Sequence, residues 1–137
     1  GRGYIFSAVS GTGKSTMAKL WQQKGAEIIN DDRLWLHKID EQWHALSTPM
    51  VWYAQKPLAA PVDQIFLLRQ AANNLITPIQ GIKAQMRVMS NCIQHFHSKE
   101  ITSNHLNQVL DFTQRTPIFD CGFKPDTSIV DEIRALL

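Results

Sequence analysis

The chain has 137 residues, of which 44% are apolar, so it can build the core of one compact α/β domain but is too short for a second. Its formal charge of +2 comes without any run of four or more Lys or Arg, so the basic surface of a nucleic-acid-binding protein is missing. No stretch approaches the roughly 18 uninterrupted apolar residues of a membrane helix, and the two cysteines lack CxxC spacing. We therefore expect a cytoplasmic protein with reduced thiols that binds neither nucleic acid nor membrane.

The amino-terminal residues read as a strand, a glycine loop, a helix and a second strand, in that order. Residues 4–9 are β-rich, and residues 15–24 carry apolar side chains at helical spacing before Gly25, a common helix stop. Residues 26–30 are predicted as the next strand. This order predicts a βαβ unit in a parallel or mixed sheet with helices packed on it.

The middle of the chain is predicted to leave the simple βαβ pattern. Residues 33–46 alternate around Asp40-Glu41, which predicts an antiparallel hairpin. Residues 47–61 contain three prolines and are expected to form an irregular loop, of the kind that often contacts substrate. The residues of the hairpin expected to face inward are Leu34, Leu36, Trp43 and Ala45.

The second half is predicted to combine strands with a layer of helices. Residues 62–70 form a strongly apolar strand, and residues 75–76 form a short edge strand. Thr77-Pro78 has the favoured pairing of a helix N-cap with proline at the first helical position, so a helix is expected to begin there. The remaining predicted elements are helices at 79–96 and 102–114, a strand that starts at 117–119, and a final helix capped by residues 126–128.

A Walker A phosphate loop is the strongest motif, since residues 8–15 match its spacing with Ala8 in place of the first glycine. Glycines allow the backbone amides to turn inward around phosphate oxygens, and the following helix directs its positive dipole end at them. Lys14 is expected to reach the β- and γ-phosphate oxygens of a purine nucleoside triphosphate, and the Ser15 hydroxyl to ligate Mg²⁺. The predicted nucleotide-binding residues are Ser10, Gly11, Thr12, Gly13, Lys14, Ser15 and Thr16.

A phosphate loop also needs a carboxylate to hold the metal or accept the proton of the nucleophile. Asp31 and Asp32 follow the predicted strand at 26–30, at the sheet edge where a parallel topology places residues beside the nucleotide. Neighbouring strand residues point to opposite faces, so one of the two is expected to face the phosphates unless the chain turns there. The alternative is an Asx turn that starts the hairpin. A further cation is expected from Arg33, Arg69 or Lys56, of which Arg33 is best placed.

Residues 6–16 and 29–32 together resemble the catalytic domain of HPr serine kinase/phosphorylase, and more closely the short HPr-kinase-related proteins found with bacterial peptide-modification genes. The interval of 17 residues from Lys14 to Asp31 agrees with that family. The resemblance implies ATP-dependent transfer to a serine hydroxyl of a peptide or protein, with Mg²⁺ as the metal. It also implies Asp31 as general base and Asp32 as metal or hydroxyl neighbour, or the reverse.

The predicted fold class is α/β, with a P-loop-containing mixed β-sheet flanked by helices that is similar to phosphoenolpyruvate carboxykinase and HPr kinase. Residues 1–137 are expected to form one domain, and the start without Met fits a chain that lacks the family's first strands. The glycine-rich signature of true HPr kinases is not recognisable. Two alternatives stay open: a small-metabolite kinase, disfavoured because the six arginines are dispersed, and a nucleotide-binding accessory module without transfer activity.

Overall fold

The computed structural model describes residues 2–8, 13–29, 34–47, 59–90 and 99–136. Within these ranges, no helix combines the length and apolar character needed to cross a bilayer. The elements in chain order are β1 (Tyr4–Ser7), α1 (Lys14–Gln23), β2 (Leu34–Ile39), β3 (Gln42–Ser47), β4 (Ala59–Pro61), β5 (Gln64–Gln70), β6 (Leu75–Ile79), α2 (Ile82–Ser90), α3 (Lys99–Arg115), β7 (Ile118–Phe123) and α4 (Ser128–Ala135).

Two sheets organise the strands of the described residues. The larger sheet has the order β1-β5-β7-β6, in which β1, β5 and β7 are parallel and β6 runs antiparallel to β7. The smaller sheet is antiparallel, with the order β2-β3-β4. The chain is therefore a mixed α/β structure with a parallel and antiparallel sheet and packed helices, which confirms the coarse part of the predicted fold class.

One face of the larger sheet packs against α1 and α4, and we call it the α1–α4 face. Phe66 is fully buried at its centre and stacks on Phe6 and Phe119, with ring centroids 5.3 and 5.2 Å away. The helices contribute apolar side chains at helical spacing, which is why they pack flat on the sheet. The buried helix residues of this face are Met17, Leu20, Trp21, Ile129, Val130 and Ile133.

The opposite face, the hairpin face, packs against the β2–β3 hairpin and the helices α2 and α3. Trp43 of the hairpin meets Phe112 of α3 edge to face, with ring centroids 5.4 Å apart. Ile65 and Leu67 of β5 point to this side, because they alternate with Phe66 along the strand. Both faces of β5 are therefore buried, which explains its nearly continuous apolar sequence.

A charged network joins α3 to the hairpin. The Asp111 carboxylate accepts hydrogen bonds from Arg115 Nε at 2.8 Å and from Trp43 Nε1 at 3.0 Å, and it pairs with Lys38 Nζ at 3.1 Å. Glu41 pairs with both Arg115 and Lys38. Hydrogen bonds from Arg115, Lys38 and Trp43 lower the pKa of Asp111 to about 2. The hairpin is thus attached to α3 through an ionised carboxylate.

The predicted hairpin is confirmed. Asp40 and Glu41 form its two-residue turn with φ of 49° and 67°, the left-handed backbone that matches the twist of the flanking strands. Trp43 and Ala45 are buried as expected, and Leu36 packs against the same cluster. The side chain of Leu34 lies outside the described residues. Within the predicted irregular loop, residues 59–61 form β4, and residues 48–58 are outside the described ranges.

The prediction of a strand at residues 26–30 is wrong for residues 26–29, which the structure describes as irregular. The Ala26 N–H donates to the Trp21 carbonyl at 3.0 Å. Ala26 therefore still belongs to the hydrogen-bonded turn that ends α1, where the strand was expected to begin. Ala26 and Ile28 pack as partly buried side chains against the core of the α1–α4 face. Their apolar character therefore serves packing, and β1 finds its parallel partner in β5.

The prediction of a helix that begins at Thr77-Pro78 is also wrong. Pro78 lies in β6 opposite Phe119 of β7, and the helix begins at Ile82 after Gly81, which has φ of 83°. Because β6 is the last strand of its sheet among the described residues, a proline there can point its missing N–H away from the ladder. An edge strand and the first turn of a helix both tolerate proline, because neither needs the N–H that proline lacks. The local sequence therefore did not distinguish between these two structures.

Candidate functional site

The junction between β1 and α1 holds the described part of the predicted phosphate loop. β1 ends at Ser7, Ala8 is buried, and α1 begins at Lys14. Gly13 precedes the helix with φ of 109°, a backbone conformation that favours glycine. The predicted loop residues Ser10, Gly11 and Thr12 lie outside the described ranges. The strand before the loop and the helix after it are therefore both confirmed.

The amino end of α1 carries no side-chain cap from the described residues. Its first turn contains no acidic residue. The Gly13 carbonyl accepts the first helical bond, from Met17 N–H at 2.9 Å. The amides at the start of a helix have no intrahelical partner, and with the helix dipole they favour an anion. Lys14 is half-buried here, whereas Ser15 and Thr16 are exposed.

Gly13 also ties the start of α1 to the larger sheet. A Cβ built on Gly13 would lie 3.0 Å from Cζ of Phe123, at the end of β7. Phe123 pairs in register with Gln70, the last residue of β5. The start of α1 therefore lies at the carboxyl edge of the parallel strands, which is the edge where α/β sheets bind ligands.

The predicted acid pair lies outside the part of the chain that the structure describes. This holds for Asp31 and Asp32, and also for Arg33 and Lys56 among the candidate cations. Among the described residues, no group of three or more His, Cys, Asp or Glu side chains could hold a metal ion. The metal ligation predicted for Ser15 and Asp32 thus stays a prediction. Their side chains offer one hydroxyl and one carboxylate, and Mg²⁺ prefers such oxygen ligands.

Of the three candidate cations, Arg69 lies within the described residues. It belongs to a group of charged side chains on the hairpin face of the larger sheet, at the carboxyl edge of the parallel strands. Arg69 Nε donates to Asp120 Oδ2 at 3.0 Å, and Arg87 of α2 donates to Asp120 Oδ1 at 3.2 Å. The Asp120 side chain is 19% exposed, against 44% for Arg69. Sequence reasoning missed Asp120 and Arg87, because the three residues are brought together by sheet pairing and carry no common local motif.

Cys121 lies next to this group in sequence but on the opposite face of β7. It is fully buried in the core of the α1–α4 face, and burial, with a smaller contribution from Asp120, raises the pKa of its thiol to about 12. A thiol with that pKa stays protonated, and the thiolate is the nucleophilic form. Cys121 is therefore a packing residue.

No family model, curated protein or solved structure matched the chain. The resemblance to HPr-kinase-related proteins accordingly stays a prediction that rests on the motif residues.

Proposed function

We propose that the chain binds a nucleoside triphosphate with Mg²⁺ and transfers its γ-phosphoryl group to a serine hydroxyl of a peptide or protein. The observation that carries the proposal is the position of the Walker A pattern at residues 8–15, between β1 and α1. Gly13 at positive φ, and a first turn of α1 that no side chain of the described residues caps, are features that such a loop requires. On this proposal the mixed sheet and its helices form a P-loop fold similar to HPr kinase.

Each residue of the proposed site has one role. The loop amides around Ser10, Gly11, Thr12 and Gly13 surround the phosphates, and Thr16 lies beside the α-phosphate. Lys14 contacts the β- and γ-phosphate oxygens with its ammonium group. The Ser15 hydroxyl and the Asp32 carboxylate would hold Mg²⁺, which would supply positive charge to the phosphates when bound.

The transfer step itself makes modest demands on the protein, because positioning and charge neutralisation supply most of the catalysis. Asp31 accepts the proton of the acceptor serine hydroxyl. The serine oxygen forms a bond to the γ-phosphorus, the bond from that phosphorus to the β,γ-bridging oxygen breaks, and the bridging electrons leave with the nucleoside diphosphate. The resemblance to HPr-kinase-related proteins supports the choice of a serine acceptor.

Calorimetry with Mg–ATP and Mg–GTP tests nucleotide binding, and mass spectrometry of a serine-centred peptide library tests transfer. Lys14→Ala is expected to weaken Mg–ATP binding at least about tenfold, the loss of one charge-assisted phosphate contact. Lys19→Ala is the matched control, because Lys19 is an exposed lysine of the same helix. Asp31→Asn is expected to keep nucleotide binding and to lose transfer.

The outcomes separate the proposal from its rival. Absence of nucleotide binding by folded wild-type protein would overturn the proposal. Binding of Mg–ATP without transfer to any library peptide would favour a nucleotide-binding accessory module.

A further inference from the structure

Arg69 is held in one orientation through only part of its guanidinium group. Its Nε donates to Asp120, which also accepts from Arg87, so the carboxylate is fixed from two sides. Within the residues that the structure describes, Arg69 bonds through Nε alone. Its Nη1 and Nη2 amino groups therefore keep donors for another acceptor, and a guanidinium edge matches the oxygens of a phosphoryl group.

Gly122 provides the space in which this guanidinium lies. A Cβ built on Gly122 would be 2.8 Å from both Cζ and Nη1 of Arg69. The guanidinium thus packs directly over the backbone of β7, at a position where any side chain would displace it. An ion pair as exposed as that of Arg69 and Asp120 adds little stability, so stability alone does not account for the arrangement.

The strand register places Arg69 at the sheet edge to which the two described flanks of the proposed phosphate loop, Ser7 and Gly13, also belong. Ser7, the last residue of β1, pairs with Leu67, so Arg69 lies two residues further toward the carboxyl edge of β5. Arg69 itself pairs with Gly122, whose neighbour Phe123 lies against Gly13. A phosphoryl group at this edge would lie between the start of α1 on one side and Arg69 on the hairpin face.

We propose that Arg69 is the catalytic cation that contacts the γ-phosphoryl group of the bound nucleotide, and that Asp120 is its positioning residue. The inference rests on the proposed nucleotide site and adds to it the charge that phosphoryl transfer requires beyond Lys14 and Mg²⁺. Asp120 orients the guanidinium before the nucleotide binds, so little reorganisation accompanies charge development on the γ-oxygens.

The test compares binding of two probes, Mg–ADP and the magnesium complex of the nonhydrolysable analogue adenylyl imidodiphosphate, by calorimetry on the full chain. Arg69→Gln is expected to weaken the triphosphate analogue about tenfold while leaving Mg–ADP unchanged, because one charge-assisted contact to the third phosphate is lost. Gly122→Ala keeps the arginine charge but displaces the guanidinium, so it is expected to produce the same selective loss. Lys83→Gln, at an exposed lysine of α2, is the matched control and should leave both affinities unchanged.

The outcomes distinguish this inference from the function on which it rests. Equal affinities of wild type and Arg69→Gln for both probes, or equal weakening of both, would overturn the role of Arg69 and leave the nucleotide site standing. Binding of neither probe by wild-type protein would overturn the proposed function, and this inference with it. If Arg69→Gln lowers the melting temperature, Gly122→Ala decides the question, because it retains Arg69. Should transfer be measurable, Arg69→Gln is expected to lower kcat about 100-fold.

Discussion

The two faces of the larger sheet are held to their helices by different forces. On the α1–α4 face the helices rest on an apolar and aromatic layer, and an ion pair such as Lys24 with Asp131 lies at its exposed rim. On the hairpin face, the apolar contact of Trp43 with Phe112 is accompanied by the charged network around Asp111. Helix α1 is thus anchored by apolar packing, whereas the attachment of the hairpin depends on an ionised carboxylate.

Removal of the central ring of the α1–α4 face should have the largest effect. Phe66→Ala is expected to lower the free energy of unfolding by about 4 kcal/mol, because it leaves a cavity among Phe6, Phe119 and Tyr4. Urea denaturation measures the loss. Phe112→Ala is the counterpart on the hairpin face and should lower the free energy of unfolding by less. Among the described residues, Phe112 contacts the ring of Trp43, whereas Phe66 contacts three rings. An equal or larger loss for Phe112→Ala would contradict this ranking of the faces.

Gly13 tests how the start of α1 is fixed to that face. Gly13→Ala is expected to destabilise the protein by about 2 kcal/mol, because alanine is strained at φ of 109° and its Cβ meets Phe123 at 3.0 Å. Gly25→Ala is the matched control, with φ of 87° and open space around the added methyl. Thermal unfolding should show the smaller loss for Gly25→Ala, and identical losses would mean that the Phe123 contact has no energetic role.

The attachment of the hairpin should respond to acid. The pKa of Asp111 is about 2 in the folded chain against an ordinary value of 3.8, so its stabilising contribution is complete above about pH 4 and is lost as the pH falls toward 2. Asp111→Asn lacks this carboxylate. The difference in the free energy of unfolding between wild type and variant should therefore be larger at neutral pH than at about pH 3. A difference that does not change over this range would refute the assignment.

The smallest expected effect concerns Cys121, whose reactivity measures whether reagents in solution reach the core of the α1–α4 face. With Cys92 replaced by Ser, iodoacetamide should leave native protein unmodified and should label urea-unfolded protein. Burial and a pKa of about 12 both keep the thiol unreactive in the fold. Mass spectrometry of both samples gives the labelled fraction, and labelling of the native protein at the unfolded rate would show that this core opens freely.

Elements defined by neighbouring residues could be predicted from the sequence. The helix that follows the glycine loop, the hairpin around Asp40-Glu41, the strand after Pro117 and the final helix all occur where local patterns predict them. At the final helix, the Asp126 carboxylate accepts bonds from the hydroxyl and backbone N–H of Ser128, and these bonds lower its pKa. Such signals act over a few residues, so no knowledge of the rest of the chain is needed.

Elements and contacts that depend on distant segments could not be predicted in the same way. Residues 26–29 are apolar enough for a strand but pack as irregular chain, and Pro78 lies in an edge strand although it suits a helix start. The site shows the same division. Gly13 and Lys14 follow from the motif, whereas Asp120 becomes part of the site through β5 and β7 pairing, which brings it to an arginine 51 positions away.

The sequence alone determined the backbone conformation at Gly13 and the polarity of the helix that follows it, because backbone sterics and helix dipoles are local properties. The tertiary structure decided that β1 pairs with β5, whose residues follow 60 positions later, and that Arg69 lies over Gly122 at the same sheet edge. Strand partners and register are set by which distant apolar segments can be buried together. That choice is made by the whole chain and is not encoded in any single segment.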